Sequence, residues 1–188
     1  MKSSTKVRRA LASVVLLLCG GCATPPSVRL AASPPDPGTL MPALERRIYE
    51  LVDEDRHRLQ PGTMPLVLDS ELVGVAREKS ADMAARNHAA HRAPDGHTTA
   101  DIIMQKDAEF QGLLGENIAV QPFVAGYAID VDAIAHRVVE TWLASAPHRD
   151  NLADPAYNRT GVGAAATRDA IYVTELFAAD LTGAPPHR

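Results

Sequence analysis

Asn158-Arg-Thr-Gly161-Val-Gly163-Ala-Ala-Ala166-Thr-Arg168-Asp169-Ala170-Ile-Tyr172-Val-Thr-Glu175-Leu-Phe177 is the stretch on which the fold turns. Two small or β-favouring runs flank a polar turn near Arg168-Asp169, the pattern of a β-hairpin. Immediately upstream, Asp130 to Ser145 is the clearest helical period in the chain. Val131, Ile134, Ala135, Val138, Val139 and Trp142 mark one apolar face. Further back, Leu44, Ile48, Leu51, Val52 and Leu59 follow helical spacing until Pro61-Gly62 stops them. A short extended piece, Pro65 to Leu68, leads to Asp69 or Ser70 as the cap of another helix, which runs to about Arg86 with Leu72, Val75, Ala76 and Met83 on its stripe. From Asn87 to about Gln111 periodicity fails, and an irregular region is expected. Helix, helix, loop, helix and hairpin imply an α+β domain in which helices cover an antiparallel sheet.

The ends of the chain differ from its middle. Of the 188 residues, the first 21 hold Lys2, Lys6, Arg8 and Arg9 and no acid, so the part from Cys22 onward carries a net charge of -8. An acidic domain of that kind is a poor partner for nucleic acid, whose binding rests on neutralised phosphates. The apolar run Ala10 to Leu18 behind the basic residues reads as an export signal. As a helix it rises only about 13 Å, short of a ~30 Å bilayer core. Gly20-Gly21-Cys22 is similar to a bacterial lipobox, with Cys19 where Leu is usual; Cys22 is then the acylated residue, and an ordinary cleaved signal is the alternative. Residues 22–42 contain six prolines and read as a stiff tether of roughly 60 Å reach at ~3.1 Å per residue. The expected organisation is signal 1–21, tether 22–42, domain 43–178 and a flexible tail 179–188. Both cysteines, Cys19 and Cys22, lie ahead of the domain, so it has no disulfide framework.

Three stretches place polar groups where a simple core would not. In Asn87-His88-Ala-Ala-His91-Arg-Ala-Pro94-Asp95-Gly96-His97, one more turn of helix would project His88 and His91 from nearly one face, where they would be able to share a metal completed by His97 or a distant carboxylate. A helix-capping histidine is the alternative. Glu116 and Asn117, inside the apolar run Gly112 to Val120, need hydrogen bonds if buried. Glu116 is a metal ligand, a general base or a structural acceptor. In Trp142-Leu-Ala-Ser145-Ala-Pro147-His148-Arg149-Asp150-Asn151, Pro147 ends the helix and the following turn anchors its end through side chains, giving Trp142, His148, Arg149 and Asn151 structural roles.

His91 with Pro94-Asp95-Gly96, Gly115-Glu116-Asn117-Ile118, Trp142 through Leu152, Gly161-Val-Gly163 and Tyr172-Val-Thr-Glu175 together resemble the CAP superfamily, more narrowly its bacterial secreted SCP-type branch. The resemblance spans residues 43–178. It implies a three-layer α-β-α sandwich with a cleft above an antiparallel sheet. Animal members line that cleft with two His and two Glu able to hold a divalent metal such as zinc. His91 matches the first His and Glu116 the first Glu, whereas Ser145 and Tyr172 stand where the second Glu and second His are expected. Glu140 lies about 160° around its helix from Trp142, and Glu175 faces away from Tyr172 in a regular strand, so neither replaces them. The expected cleft is therefore His91, Glu116, Asn117 and Tyr172 with an incomplete metal set.

Gly-x-Ser-x-Gly and His-Glu-x-x-His are absent from the sequence, and Ser145 has no evident base beyond His148. The resemblance implies a binding module for an envelope ligand (lipid, glycan, peptide or protein), held to the membrane through an N-terminal lipid. A metal-assisted hydrolase using His91 and Glu116 is the alternative, and a purely structural network of His91, Glu116 and Asn117 a third.

Overall fold

The structure is a computed structural model that describes residues 35–180. The signal segment, Cys22, most of the Pro-rich segment and residues 181–188 lie outside the described residues. The chain enters through a 3-10 turn at Pro37–Leu40, capped by the Asp36 carboxylate, and passes directly into α1 (Met41–Leu59). The expected tether thus gives way to folded chain at Pro37, because Leu40 and Met41 already pack into the core.

The elements that follow are β1 (Val67–Leu68), α2 (Ser70–Arg86), α3 (Thr99–Lys106), β2 (Gly112–Pro122), α4 (Val131–Ala144), α5 (Ala146–Ala153), β3 (Arg159–Ala166) and β4 (Ala170–Asp180). The sheet order is β1-β3-β4-β2. The hairpin forms as expected, and β2 pairs antiparallel with β4 on its other side. The two-residue β1 departs from the antiparallel scheme by joining β3 in parallel. β4 runs to Asp180, so folded chain extends two residues past the expected end of the domain.

Period-two alternation divides β4 between two cores. Ile171, Val173, Phe177 and Ala179 join α1, α4 and α5 in the larger one, while Leu176 and Ala178 join α2 and α3 in the smaller. This is an α-β-α sandwich. Gly161 and Gly163 bring α2 onto the sheet: a Cβ at either would sit within the backbone of Leu72-Val73 or Ala76-Arg77. Asp69 caps α2 by accepting from Glu71 and Leu72 N–H groups, and its other oxygen accepts from Arg159 at 2.7 Å. Among the described residues no helix is long and apolar enough to cross a membrane.

Two helices depart from the sequence expectation. α3 occupies part of the region expected to be irregular. It has only Thr99 and Ile103 buried and too little periodic signal to stand out, yet Thr98 and Asp101 form a complete capping box at its start. α5 replaces the expected turn after α4. Pro147 sits in its first turn, where a missing N–H costs nothing, so Pro147 opens a helix as well as closing one.

Side chains occupy backbone groups on the β2 edge and on the part of β3 that β1 leaves uncovered. On β2, the Trp142 indole N–H donates to the Ile118 carbonyl at 3.0 Å and Asn151 donates to the Glu116 carbonyl at 3.2 Å. On β3, the backbone N–H of Ala164 donates to the buried Glu45 carboxylate, which also holds Arg77 from α2. Each occupied edge group is one fewer for another strand to pair with.

Candidate functional site

The register of β2 decides which polar groups meet. Glu116 lies opposite Leu176 and Asn117 opposite Glu175, so the two neighbours project from opposite faces of the sheet. Glu116 faces α3 and the loop that carries His91. One carboxylate oxygen lies 2.6 Å from His91 Nδ1, and the other accepts the Thr99 hydroxyl. The Glu116 side chain is 14% exposed and that of His91 59%, so the carboxylate forms the floor and the imidazole the rim. Ile103, Leu114 and Leu176 supply apolar lining, and Asn151 a polar group, to a cavity of about 380 Å³.

His91 is held by a built loop. α2 ends at Asn87, whose φ of 48° breaks the helix, and the His88 N–H returns to the Met83 carbonyl. Buried Lys79 donates to the His91 carbonyl at 2.9 Å. Arg86 pairs with Asp95 at 2.6 Å, and the Ala93 N–H donates to the His97 carbonyl. Helix termination at Asn87 separates His88 from His91, so the helical pair expected from their spacing does not form. His88 and His97 are both exposed on the loop.

Tyr172 is not a cleft residue. It pairs with Val120, four residues along β2 from Glu116 and so roughly 13 Å away at ~3.4 Å per residue. Its hydroxyl instead donates to Asn87 Oδ1 at 2.6 Å, anchoring the start of the His91 loop. Asn117 is also outside the cleft. It is fully buried on the far face, where it donates to the His148 carbonyl at 3.1 Å and accepts from Asn151 at 2.8 Å. Arg149 ties α5 to α4 through the Leu143 carbonyl at 2.9 Å. Asn117, Trp142, Arg149 and Asn151 therefore fasten α5 and α4 to the β2 edge.

That fastening brings in a residue whose ring was expected to sit in a turn. His148 on α5 packs against His91 with ring centroids 6.4 Å apart. Burial, followed by the nearby His91 charge, pushes the His148 imidazole below the usual histidine range. Its Nδ1 is buried without a hydrogen-bond partner. Sequence reasoning also missed Thr99 and Lys79; the Thr98-x-x-Asp101 capping signal was available to place Thr99 at a helix start.

His91, Glu116 and His148 do not fit a zinc centre. His91 Nδ1 faces Glu116, both Glu116 oxygens engage protein groups, and His148 Nδ1 is shut away. Among the described residues no three His, Cys, Asp or Glu side chains are disposed to hold a metal ion. Glu175, set aside from the cleft on strand geometry, is completely buried on the opposite face. One of its oxygens accepts from Thr160 at 3.0 Å, and burial raises its carboxyl pKa to about 8.

Comparison with known proteins adds one family match and three related proteins. The profile of the CAP family, described as the cysteine-rich secretory protein family, matches residues 51–177. The protein YkwD of Bacillus subtilis (strain 168) is 30% identical over 121 residues, covering 64% of this chain and 42% of YkwD. The chain thus corresponds to less than half of that curated relative. An extracellular protein containing a SCP domain from Bacillus anthracis is 26% identical, with 79% of this chain matching 45% of that one at a TM-score of 0.60. An outer surface protein from Borrelia burgdorferi shares the fold at 23% identity and TM-score 0.60, over 73% of this chain and 93% of its own.

Proposed function

We propose that this chain, which belongs to the CAP (cysteine-rich secretory protein) family, works outside the cytoplasm as a non-enzymatic binding module. Two structural relatives, one described as an outer surface protein and one as extracellular, support that location. In this reading Cys22 carries a lipid that keeps the domain at the membrane.

The observation that carries the binding role is the pairing inside the cleft. Glu116 is committed to His91 on one oxygen and Thr99 on the other, beneath an open cavity with a wall of Ile103, Leu114 and Leu176. A carboxylate so engaged is a preorganised acceptor, and the exposed edge of His91 adds a donor or acceptor at the rim. Such a site suits an amphipathic ligand that places a hydrogen-bonding head at Glu116 and His91 and a short apolar portion against the wall.

Native mass spectrometry of the full chain purified from a bacterial envelope tests this. A retained organic mass that disappears in Glu116→Gln and His91→Ala is expected. A chain that carries nothing organic but holds stoichiometric zinc would sink the binding reading in favour of a metal-assisted hydrolase through His91 and Glu116. Palmitate labelling of wild type and Cys22→Ala tests the anchor separately: equal labelling of the two, or none, would refute it.

A further inference from the structure

The end of the domain where the chain enters carries an unusual loop. From Gln121 to Ile129 the sequence Gln-Pro-Phe-Val-Ala-Gly-Tyr-Ala-Ile contains no charge, in a part of the chain whose net charge is -8. Phe123 and Ile129, its two feet, pack against the larger core. The Phe123 N–H donates to the Asp169 carbonyl at 2.9 Å, and the Tyr127 N–H to the Val124 carbonyl at 3.2 Å. Gly126, at a φ of +86°, makes that turn possible. The tip is therefore a built turn, yet Val124 is 68% and Tyr127 74% exposed. Held side chains of this kind, a valine and a tyrosine at the summit and an exposed arginine beside them at Arg168, have the composition of a membrane-interface contact.

The point of chain entry says what covers this tip. Pro35, Asp36 and Pro37 line the same hollow of about 470 Å³ as Phe123, Tyr127 and Arg168. Cys22 precedes Pro35 by thirteen residues, a length that spans at most about 45 Å even when fully extended. The opposite end of the domain, at Gly112 and the preceding Glu109, lies about 35 Å further away along the eleven residues of β2. A lipid on Cys22 would therefore join the domain at the end that carries the Val124–Tyr127 tip. The acidic domain as a whole is repelled by an anionic leaflet, so the contact depends on an uncharged tip kept at high effective concentration by the anchor.

We infer that the Phe123–Ile129 loop is a membrane-facing surface, with Val124 and Tyr127 seated in the lipid interface and Arg168 at the level of the lipid phosphates. This rests on the reading of Cys22 as the anchor. It orients the sandwich with the β2–α4 loop toward the bilayer and the Glu109 end away from it.

The test uses the full chain, purified with its acyl group and reconstituted in phosphatidylethanolamine–phosphatidylglycerol vesicles. Val124→Cys or Glu109→Cys carries an environment-sensitive fluorophore, since acylated Cys22 does not label. A blue shift and quenching by doxyl-bearing lipid are expected at position 124 and not at 109. Adding Tyr127→Asp should reduce the quenching at 124. An acylated, vesicle-bound chain whose two probes respond alike, or not at all, overturns the membrane-facing surface and leaves the anchor standing. A chain without an acyl group overturns both.

Discussion

Glu175 makes the pH dependence of folding a direct test of the buried polar architecture. Its carboxyl is fully buried, has one hydrogen bond from Thr160, and leaves its second oxygen without a partner. Arg56 lies near enough to favour ionisation, but its guanidinium is committed to the Leu152 and Tyr157 carbonyls, and burial outweighs it. The pKa therefore rises from 4.5 to about 8. Between those values the native state holds a proton that the unfolded chain has released. The contribution of Glu175 to stability is complete below pH 4.5 and is lost as pH rises toward about 8, by close to tenfold in the folding constant per pH unit, or about 1.4 kcal/mol. Summed over the window, the loss is on the order of 5 kcal/mol. Glu175→Gln keeps the shape and the acceptor for Thr160 but has no proton to lose. Urea denaturation of both proteins at about pH 5, 6, 7 and 8, a range chosen to span the window, is followed through the buried and only tryptophan, Trp142. The variant's midpoint should fall much less steeply than that of the wild type and lie above it at the alkaline end. Parallel pH profiles for the two would refute the reasoning.

Three further outcomes follow from specific contacts. Gly161→Ala drives a methyl into the Leu72-Val73 backbone and should cost about 3 kcal/mol by urea denaturation, whereas Gly74→Ala, with open space at its Cβ, should be neutral or stabilising. Asn151→Ala strips the Glu116 carbonyl and the Asn117 side chain of a donor, for a loss of roughly 2 kcal/mol. Freed of that cover, the β2 edge should also show concentration-dependent association in light scattering. Tyr172→Phe removes the bond to Asn87 and should cost about 1 kcal/mol, with faster amide exchange over residues 88–98 and little change at β4.

Much of the fold was legible in the chain. α1, α2 and α4 were placed within a residue or two, because each buries a complete helical stripe, and the hairpin announced itself through its turn. α3 and α5 were not. Each has only eight residues and buries at most two of them, so hydrophobic periodicity had almost nothing to act on. The cleft was half legible: His91 and Glu116 meet as the family resemblance implied, but Asn117 and Tyr172 do not join them.

By itself the sequence determined the α+β class, the acidic cysteine-free domain and the family, since composition, helical stripes and short motifs are local and survive without coordinates. Which polar groups would face each other was decided only by tertiary structure. In β2 a pleat of period two sends Glu116 into the cleft and Asn117 beneath the sheet, and one step of register would exchange them. His148 reaches His91 because α5 is fastened to a strand edge far away in sequence. Glu175 acquires its raised pKa because the folded core buries it completely and removes the water that would otherwise stabilise its charge.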